Sequence, residues 1–417
     1  MPPSPRFQLL PMVFALALAW GTGCHRNATL SRPDTKQSVP KSEGTAIAAI
    51  SAGGLHTCAL TTAGGVKCWG WNNEGQLGEG TEDKQHEPTD VKGLATGVAA
   101  IALGSWHTCA LTTKGGVKCW GYNEYGLLGD STTDKRHEPT DVKGLASGVA
   151  AISADSFHTC ALTNAGGVKC WGRNEYGKLG DGTEDDRHEP TDVKGLASGV
   201  AAIATGQDHT CALTTAGGVK CWGGNAYGEL GDGTTDERSE PTNVRGLASG
   251  VAAIATGVAH TCALTTKGGV KCWGSNRNGK LGDGTAEDER HEPTDVKGLA
   301  SSVAAIVTGD YHICALTTEG GIKCWGNNRY GQLGDGTTDE RHEPIDVKGL
   351  VRDVAEISAG SLHTCALTTA GGVKCWGNNH YGQLGDGTTD NRLEPTDVKG
   401  LASGVGVSAP SKADGSF

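Results

Sequence analysis

The chain is built from seven near-copies of one segment of about 51 residues. The run that starts at His56 and ends at Gly70 begins again at His107, His158, His209, His260, His312 and His363. Successive starts are 51 residues apart, except for the step of 52 between His260 and His312. Self-similarity at a fixed period of this length indicates a repeat architecture, in which each copy is one small structural unit that packs on its neighbours.

The centre of each unit predicts a β-hairpin. His-Thr-Cys-Ala-Leu and Val-Lys-Cys-Trp-Gly are short strand-forming runs, and a glycine-containing turn separates them. If Cys58 faces Cys68, then Leu60 faces Val66 and the chain reverses at residues 62–64. Directly opposed residues lie about 4.5–5.5 Å apart, which is within reach of a disulfide.

Two further strands complete the unit. Residues 98–102 precede the second hairpin, and residues 139–142 follow it. Four short strands in each of seven units predict an all-β fold, a seven-bladed β-propeller with one sheet per blade. A parallel β-helix would need a much shorter repeat, and no unit has the period of 3.6 residues that indicates a helix.

Fourteen of the 15 cysteines form pairs ten residues apart, one pair in each unit. The pairs are Cys58 and Cys68, Cys109 and Cys119, Cys160 and Cys170, Cys211 and Cys221, Cys262 and Cys272, Cys314 and Cys324, and Cys365 and Cys375. We expect a disulfide in every pair, because the first 24 residues indicate export and an exported chain meets an oxidising environment. Each bond would be worth roughly 2–3 kcal/mol. The alternatives are free buried thiols and a metal site that includes the His two residues earlier, which would need a fourth ligand and reduced thiolates.

The first 24 residues resemble a bacterial lipoprotein signal peptide. Arg6 precedes an apolar run over residues 9–20, which is too short to span a membrane, and small residues follow before Cys24, the cysteine outside the pairs. The resemblance implies export and acylation of Cys24, which would make the protein a membrane-anchored lipoprotein of the cell envelope that faces the periplasm or the exterior. Gly21 departs from this pattern, which usually has Leu, Ile or Val there. Simple secretion with removal of Cys24 is the alternative.

The remaining residues divide into three parts. Residues 25–44 are polar and contain two prolines, which indicates a flexible tether. Residues 45–407 contain the seven repeats, and residues 408–417 are expected to be a disordered tail. The ring of blades could close in two ways. The fourth strand of each unit could pair into the following blade, so that residues 395–398 complete the first blade, or all four strands could stay in one blade, with residues 405–407 as a spare strand.

A glycine motif follows each hairpin and connects the repeat to a known family. Gly-x-Leu-Gly predicts left-handed turns, with the leucine between blades. Gly-x-x-His-x-x-Ala-Leu followed by Gly-x-Val-x-x-Trp-Gly-x-Asn-x-x-Gly-x-Leu-Gly resembles the repeat of the regulator of chromosome condensation family over roughly residues 45–400. That resemblance implies a seven-bladed propeller. The paired cysteines depart from the family's nuclear members and suit an exported bacterial relative.

Variation between the units is concentrated in two of the four connections. The loops between strands one and two and between strands three and four should emerge on one face of the ring, whereas the other face is nearly uniform. A constant scaffold with one diversified face indicates a binding surface, on which aromatic residues and Arg are typical anchors. The predicted partner-binding residues are Leu55, Trp71, Trp106, Tyr122, Phe157, Arg173, Asp208, Arg277, Tyr311, Arg329, Leu362 and His380. Drift at loop positions that tolerate any residue is the competing interpretation.

Residues that recur in every unit are predicted to be structural. We expect the Trp of Val-Lys-Cys-Trp to pack between sheets and the repeated His to bond with nearby backbone groups. No nucleophile-base-acid set or phosphate-binding motif stands out at a single position, so no catalytic residue and no cofactor are predicted. The segment from Asp232 to Asp236 resembles a calcium loop faintly but lacks the full ligand spacing, so no metal site is predicted.

Protein binding is the function that the sequence favours. We expect an exported, lipid-anchored monomer, not an enzyme, that engages a partner protein through the variable loops, and the net charge of −11 argues against a nucleic-acid partner. One alternative is an envelope hydrolase or lyase with its site at the central channel, which a carboxylate pair or a His found on that channel and differing from the other blades would support. Another is an inhibitor of a secreted enzyme such as a β-lactamase, because one propeller of this repeat class has that role. Guanine-nucleotide exchange, the activity of the nuclear members, is disfavoured by export.

Overall fold

The computed structural model describes residues 45–285 and 289–401, which contain 28 strands and two short 3-10 helices. Blade 1 consists of β1 (Ile47–Ala52), β2 (His56–Thr61), β3 (Val66–Gly70) and β4 (Gln85–Asp90). Blade 2 consists of β5 (Val98–Leu103), β6 (His107–Thr112), β7 (Val117–Gly121) and β8 (Arg136–Asp141). Blade 3 consists of β9 (Val149–Ala154), β10 (His158–Thr163), β11 (Val168–Gly172) and β12 (Arg187–Asp192), with a helix at Glu175–Gly177. Blade 4 consists of β13 (Val200–Thr205), β14 (His209–Thr214), β15 (Val219–Gly223) and β16 (Arg238–Asn243).

The last three blades follow the same plan. Blade 5 consists of β17 (Val251–Gly257), β18 (His260–Thr265), β19 (Val270–Ser275) and β20 (Glu289–Asp295), with a helix at Arg277–Gly279. Blade 6 consists of β21 (Val303–Thr308), β22 (His312–Thr317), β23 (Ile322–Gly326) and β24 (Arg341–Asp346). Blade 7 consists of β25 (Val354–Ala359), β26 (His363–Thr368), β27 (Val373–Gly377) and β28 (Arg392–Asp397). The predicted signal peptide with Cys24, the tether, the spare strand and the tail lie outside the described residues.

Four consecutive strands form one sheet in every unit, which confirms the predicted seven-bladed β-propeller. The strands of each sheet are antiparallel, and the hairpin has the predicted register, with Cys58 opposite Cys68 and Leu60 opposite Val66. The two sulfur atoms of each of the seven cysteine pairs lie 2.03–2.13 Å apart, the distance of a disulfide. Within residues 45–285 and 289–401, neither helix is long and apolar enough to cross a bilayer.

Of the two possible modes of closure, the one in which all four strands stay in one blade is observed, and pairing of the fourth strand into the following blade is excluded. The strand β4 pairs with β3 of its own unit, where Lys67 faces Asp90, and β28 pairs with β27 in the same way. The physical reason is that β4 has no buried side chain and contains Pro88, which suits the outer edge of its own sheet. Blade 1 is therefore complete without the end of the chain.

Blades 7 and 1 close the ring through the same kind of side-chain contacts that join all the other neighbouring blades. Ile50 and Trp69 of blade 1 pack in one cluster with Leu367 and Val373 of blade 7. The indole nitrogen of Trp69 donates a hydrogen bond of 2.9 Å to the backbone oxygen of Gln383. Closure therefore depends on interlocking side chains, with no exchange of a strand.

The repeated tryptophan packs between blades, as predicted. Trp120 of blade 2 is fully buried beside Leu77 of blade 1, and its indole nitrogen donates to the backbone oxygen of Gln76 at 2.9 Å. Gly78 has a φ of 72°, and a Cβ added there would lie 2.5 Å from the indole nitrogen of Trp120. The second glycine of Gly-x-Leu-Gly is thus required both by its left-handed backbone and by the ring of the next blade.

The repeated histidine has a different partner from the one predicted. The Nε2 atom of His56 lies 2.8 Å from the hydroxyl of Thr108 in the next blade, and that hydroxyl donates to the backbone oxygen of Gln76 at 2.9 Å. Since the hydroxyl hydrogen is used there, Nε2 must donate to the hydroxyl oxygen. Burial lowers the pKa of His56 to about 3, so the ring is neutral at pH 7. Six of the seven histidines make this bond to the following blade. The sequence could not reveal it because the partner lies 52 residues along the chain, or 306 residues away for His363 and Thr57.

Candidate binding face

Two kinds of loop occupy the two faces of the ring. On one face, the turn of each hairpin meets the link to the next blade, because Val66 donates its backbone N–H to Leu94 at 3.0 Å and Val98 donates to Gly64 at 3.0 Å. These are the uniform loops. The variable loops contact one another on the other face, which we call the variable face.

Aromatic side chains of neighbouring blades form a continuous band on the variable face. This aromatic band consists of Trp71, Trp106, Tyr122, Tyr125, Phe157 and Tyr381 and spans blades 7, 1, 2 and 3. The ring of Trp106 lies at its centre, 5.9 Å from Trp71, 5.4 Å from Tyr122 and 6.4 Å from Phe157. Such rings stabilise one another in tilted and edge-to-face arrangements, yet Trp106 remains 38% exposed. Four of the predicted residues are therefore brought together in one apolar surface.

The cationic end of the band is Arg173. Its guanidinium lies 5.1 Å from the ring centre of Tyr125 and 5.3 Å from that of Phe157, within the range of a cation–π interaction. The same guanidinium forms an ion pair of 2.6 Å with Glu175. Tyr122 donates a hydrogen bond to Glu124, which leaves the aromatic band with carboxylates along its edge.

Buried asparagines stiffen the loops that carry the band. The side-chain oxygen of Asn123, next to Tyr122, accepts the backbone N–H of Leu128 at 2.9 Å. Its amide nitrogen donates to the backbone oxygens of Thr132 and Asp134 at 3.1 and 2.9 Å. One fully buried side chain thus ties three points of the loop together, so the aromatic residues project from a well-ordered support.

A second, smaller group lies on blades 6 and 7. Arg329 lies 5.8 Å from the ring centre of Tyr330, which is 6.0 Å from the ring centre of His380. The remaining predicted residues join neither group. Tyr311 and Arg277 are exposed, and Leu55, Leu362 and Asp208 are half-buried. The carboxylate of Asp208 pairs with the buried amine of Lys178.

Two sets of residues on this face are not among those predicted. The residue before the first glycine of Gly-x-Leu-Gly is Tyr in five units, and Tyr125 and Tyr381 join the aromatic band from this position. Because this tyrosine recurs in most units, the sequence gives it the character of a structural residue. The x residue of Gly-x-Leu-Gly is buried in every blade, and it is charged in three of them. These three residues are Lys178, Glu229 and Lys280.

The buried charges have unequal partners. The amine of Lys178 lies 2.7 Å from a carboxylate oxygen of Asp208 and 3.1 Å from the backbone oxygen of Gln207. Burial lowers the pKa of Lys178, and Asp208 opposes the shift. Glu229 accepts the backbone N–H of Tyr227 at 2.7 Å, and burial raises the pKa of its carboxyl. These groups lie on blades 3 to 5, away from most of the aromatic band.

A cavity of about 140 Å³ lies at the centre of the ring, where the first strands end. It is lined mainly by glycines and small polar residues, but Asp155 and Asp310 also line it. In the other six units, the position of Asp155 is occupied by glycine. Burial, together with repulsion from Asp310, raises the pKa of Asp155, and burial raises the pKa of Asp310 although Ser361 and Lys280 oppose it. The cavity thus contains the kind of unique carboxylate pair that would favour a site at the channel.

The loop that resembles a calcium site is occupied by the protein's own groups. Asp232 accepts hydrogen bonds from the backbone N–H of Thr234 at 2.9 Å and from its hydroxyl at 2.6 Å. Arg238 pairs with the same carboxylate at 3.1 Å. In residues 45–285 and 289–401, no three His, Cys, Asp or Glu side chains are grouped as metal ligands would be.

Fold and surface define a class of protein: a repeat propeller with one uniform face and one variable, aromatic-rich face. The sequence model of the RCC1-like domain matches residues 17–305, and models of the regulator of chromosome condensation (RCC1) repeat match residues 303–332, 319–367, 354–383 and 370–409. The chain belongs to the RCC1-like family, which confirms the family resemblance of its repeats.

Two relatives of the chain are a receptor and a ubiquitin ligase. The chain is 31% identical to the ultraviolet-B receptor UVR8 of Arabidopsis thaliana over 360 residues, which cover 85% of this chain and 82% of the receptor. It is 33% identical to the human E3 ubiquitin-protein ligase HERC2 over 362 residues, which are 84% of this chain but 7% of the ligase.

Solved structures share the fold. Human WBSCR16 superposes with a TM-score of 0.72 at 25% identity and covers 80% of this chain and 93% of its own. Yeast RCC1 (Prp20), solved bound to Kap60, superposes with a TM-score of 0.71 at 21% identity and covers 89% and 91%.

Proposed function

We propose that the protein binds a partner protein through the aromatic band of its variable face. The observation that carries this proposal is the set of contacts around Trp106, which join large apolar rings from neighbouring blades into one partly exposed surface. Trp, Tyr and Arg are the residues that dominate binding free energy in protein interfaces, and all three are present here. Drift at tolerant loop positions would not join such residues across four consecutive blades.

The place where this binding occurs is part of the same proposal. Seven cysteine pairs are typical of proteins that fold in an oxidising compartment, and the first 24 residues have the character of a lipoprotein signal. We therefore propose an exported protein that Cys24 anchors to a membrane of the cell envelope, which labelling of Cys24 with a radioactive fatty acid would test. An inhibitor of a secreted enzyme is one form that such binding could take.

Replacing Trp106 and Phe157 with Ala should abolish partner capture. Truncating one well-packed aromatic anchor costs about 2 kcal/mol or more in binding free energy, so the double variant should bind at least about 100-fold more weakly. The measurement is affinity purification from the native envelope fraction with the full chain as bait, followed by titration of each captured protein.

The matched control for this experiment is Tyr227→Ala. Tyr227 has the same place in its repeat as Tyr125 and is 39% exposed, but the described residues place no aromatic ring in contact with it. Capture should survive this change. Circular dichroism of all variants should match the wild type. Partner proteins that bind the double variant as tightly as the wild type would contradict the proposal.

A hydrolase or lyase with its site in the central cavity is the second candidate. Asp155 and Asp310 favour it, because a carboxyl that keeps its proton near neutral pH can donate to a leaving group while a second carboxylate accepts a proton. Asp155→Gly restores the residue of the other six blades and should lower turnover of chromogenic glycosides and esters by at least about 100-fold. The exposed Asp185→Asn variant is the control. Equal turnover in Asp155→Gly and wild type would exclude this candidate.

A further inference from the structure

Two lysines at the same place of the repeat allow a direct comparison of their surroundings. Lys178 in blade 3 and Lys280 in blade 5 are both the x residue of Gly-x-Leu-Gly, and both side chains are buried. Lys178 has the carboxylate of Asp208 at 2.7 Å. The amine of Lys280 donates a hydrogen bond of 2.8 Å to the backbone oxygen of Val258, and within residues 45–285 and 289–401 no carboxylate lies within ion-pair distance of it.

The cause of this difference is one residue. Asp208 precedes the repeated histidine in blade 4, and the same position in blade 5 is Ala259. The Lys280 amine is therefore buried as deeply as that of Lys178 without the counter-ion. A buried ammonium that lacks a paired charge is destabilised relative to the neutral amine.

The neighbouring histidine also departs from the repeat. The Nδ1 atom of His260 lies 3.0 Å from the same backbone oxygen of Val258 that accepts the Lys280 amine, which brings imidazole and amine together. The residue that would accept Nε2 in the next blade is Ile313, where the other units have Thr. Nε2 of His260 is consequently buried without a hydrogen-bond partner. Since Nδ1–H donates to the carbonyl, Nε2 carries a buried lone pair.

The titratable groups around Lys280 are Arg277, Asp310, Glu229, His260 and His209. Burial lowers the pKa of the amine to about 8, Arg277 acts in the same direction, and Asp310 and Glu229 oppose the shift. Burial keeps His260 neutral by lowering its pKa well below 6.5. With a pKa of about 8, roughly a tenth of the amine is neutral at pH 7, compared with about 0.04% of an ordinary lysine.

The residues of blade 5 at two positions of the variable face are smaller than those of the aromatic band. Ala259 and Ser275 stand at the positions that Trp106 and Tyr122 occupy in blade 2. Val258 directly follows Gly257, which lines the central cavity together with Asp310. The amine is therefore hydrogen-bonded to the residue that adjoins the wall of this cavity.

We propose that Lys280 is a modification site whose amine condenses with small carbonyl compounds, aldehydes above all, to form an imine. The ammonium first releases a proton, and the amine nitrogen then bonds to the carbonyl carbon. The carbonyl oxygen leaves as water with the two remaining hydrogens of the nitrogen, so that one water and one proton are released per imine. This reactivity is separate from partner binding by the aromatic band.

Reductive labelling of the full chain with acetaldehyde and sodium cyanoborohydride tests the proposal. The reductant adds hydride to the imine carbon and leaves an N-ethyl-lysine, which peptide mapping by mass spectrometry assigns to one residue. At pH 7, Lys280 should be labelled about tenfold faster than the exposed Lys114 and faster than Lys178, and its rate should reach half of its maximum near pH 8. Labelling no faster than that of Lys114 and Lys178 would overturn the proposal.

A matched variant separates this chemistry from simple accessibility. Ala259→Asp gives blade 5 the carboxylate of blade 4 and should slow labelling of Lys280 to the rate of Lys178 while moving the midpoint of its pH profile upward. Lys280→Gln, the residue of blades 1, 6 and 7 at this place, should remove one fast-labelled group from the intact protein. An unchanged Lys280 rate and pH profile in Ala259→Asp would overturn the proposed role of the missing counter-ion.

Discussion

Lowering the pH from 7 to 5 is expected to unfold the propeller, because all seven repeated histidines are fully buried. Burial lowers the pKa of each ring. The pKa is about 3 for His56, His107 and His312, about 4 for His209 and His363, and well below 6.5 for His158 and His260. In the unfolded chain these rings titrate near pH 6.5, so the unfolded state binds more protons below that pH and stability falls as the pH falls.

The magnitude of this effect is large because the repeat multiplies it. At pH 5, one such histidine lowers the free energy of unfolding by about 2 kcal/mol relative to neutral pH. The five rings with a pKa of about 3 or 4 together lower the free energy of unfolding by about 10 kcal/mol, which is comparable to the total stability of a typical folded domain. Stability should therefore be lost as the pH falls from about 6.5, the unfolded pKa of the rings, toward pH 4.

Four carboxyl groups act in the opposite direction, namely Asp155, Glu229, Asp310 and Glu356. Burial raises the pKa of each of these four in the folded state, so the folded protein binds protons there that the unfolded chain does not. Their contribution to stability grows as the pH falls toward the unfolded value near 4. Carboxyl groups with a lowered pKa, such as Asp130 and Asp181, act in the same direction as the histidines. We therefore expect unfolding at pH 5 to take up a net three or more protons, with histidine dominant.

Urea unfolding at a series of pH values, followed by tryptophan fluorescence, gives the proton uptake from the slope of stability against pH. His86→Ser is the control, because His86 is exposed and the same position in blade 4 is Ser239. His107→Asn should reduce the slope by about one proton, and His86→Ser should leave it unchanged. A net uptake below two protons between pH 6 and pH 5 would show that the buried histidines do not control acid stability.

The repeat explains why the fold could be predicted in detail. One assumption, Cys58 opposite Cys68, gives the register of a hairpin that occurs seven times, and the four-strand pattern then gives the blade. The mode of ring closure could not be predicted, because the local sequence pattern does not distinguish an edge strand of one sheet from the first strand of the next. The absence of buried side chains in β4 identifies it as the edge strand of its own sheet. That burial is a property of the assembled ring and cannot be read from the sequence.

The site could be predicted only in part for a related reason. Four residues of the band can be recognised because the residues at their positions differ between units, namely Trp71, Trp106, Tyr122 and Phe157. Tyr125 occupies a position that is Tyr in most units, like a structural residue, and its contact with Phe157 depends on the curvature of the ring. Asp155 and Asp310 are about three repeats apart in sequence and meet only across the channel. Variation finds the exposed residues of a repeat protein, whereas contacts across the ring require coordinates.

Complete reduction of the seven disulfides is expected to unfold the protein at neutral pH and 25 °C. Each bond closes a hairpin of ten residues and is worth about 2.5 kcal/mol, so seven are worth about 17 kcal/mol, more than the stability of most domains. The cysteines of all seven pairs are fully buried, so a reductant alone should act slowly on the native protein. Reduction in urea followed by dilution with the reductant present should leave the chain unfolded, as measured by circular dichroism.

Removal of one pair should give the size of a single contribution. Replacing Cys262 and Cys272 with Ala is expected to lower the free energy of unfolding by about 2–3 kcal/mol in urea titrations under oxidising conditions, and the same change in blade 2 should have an equal effect because the hairpins have the same register. A fully reduced chain with an unchanged urea midpoint would contradict this account. It would also remove the physical argument for export, because a propeller that folds equally well without its disulfides has no need of an oxidising compartment.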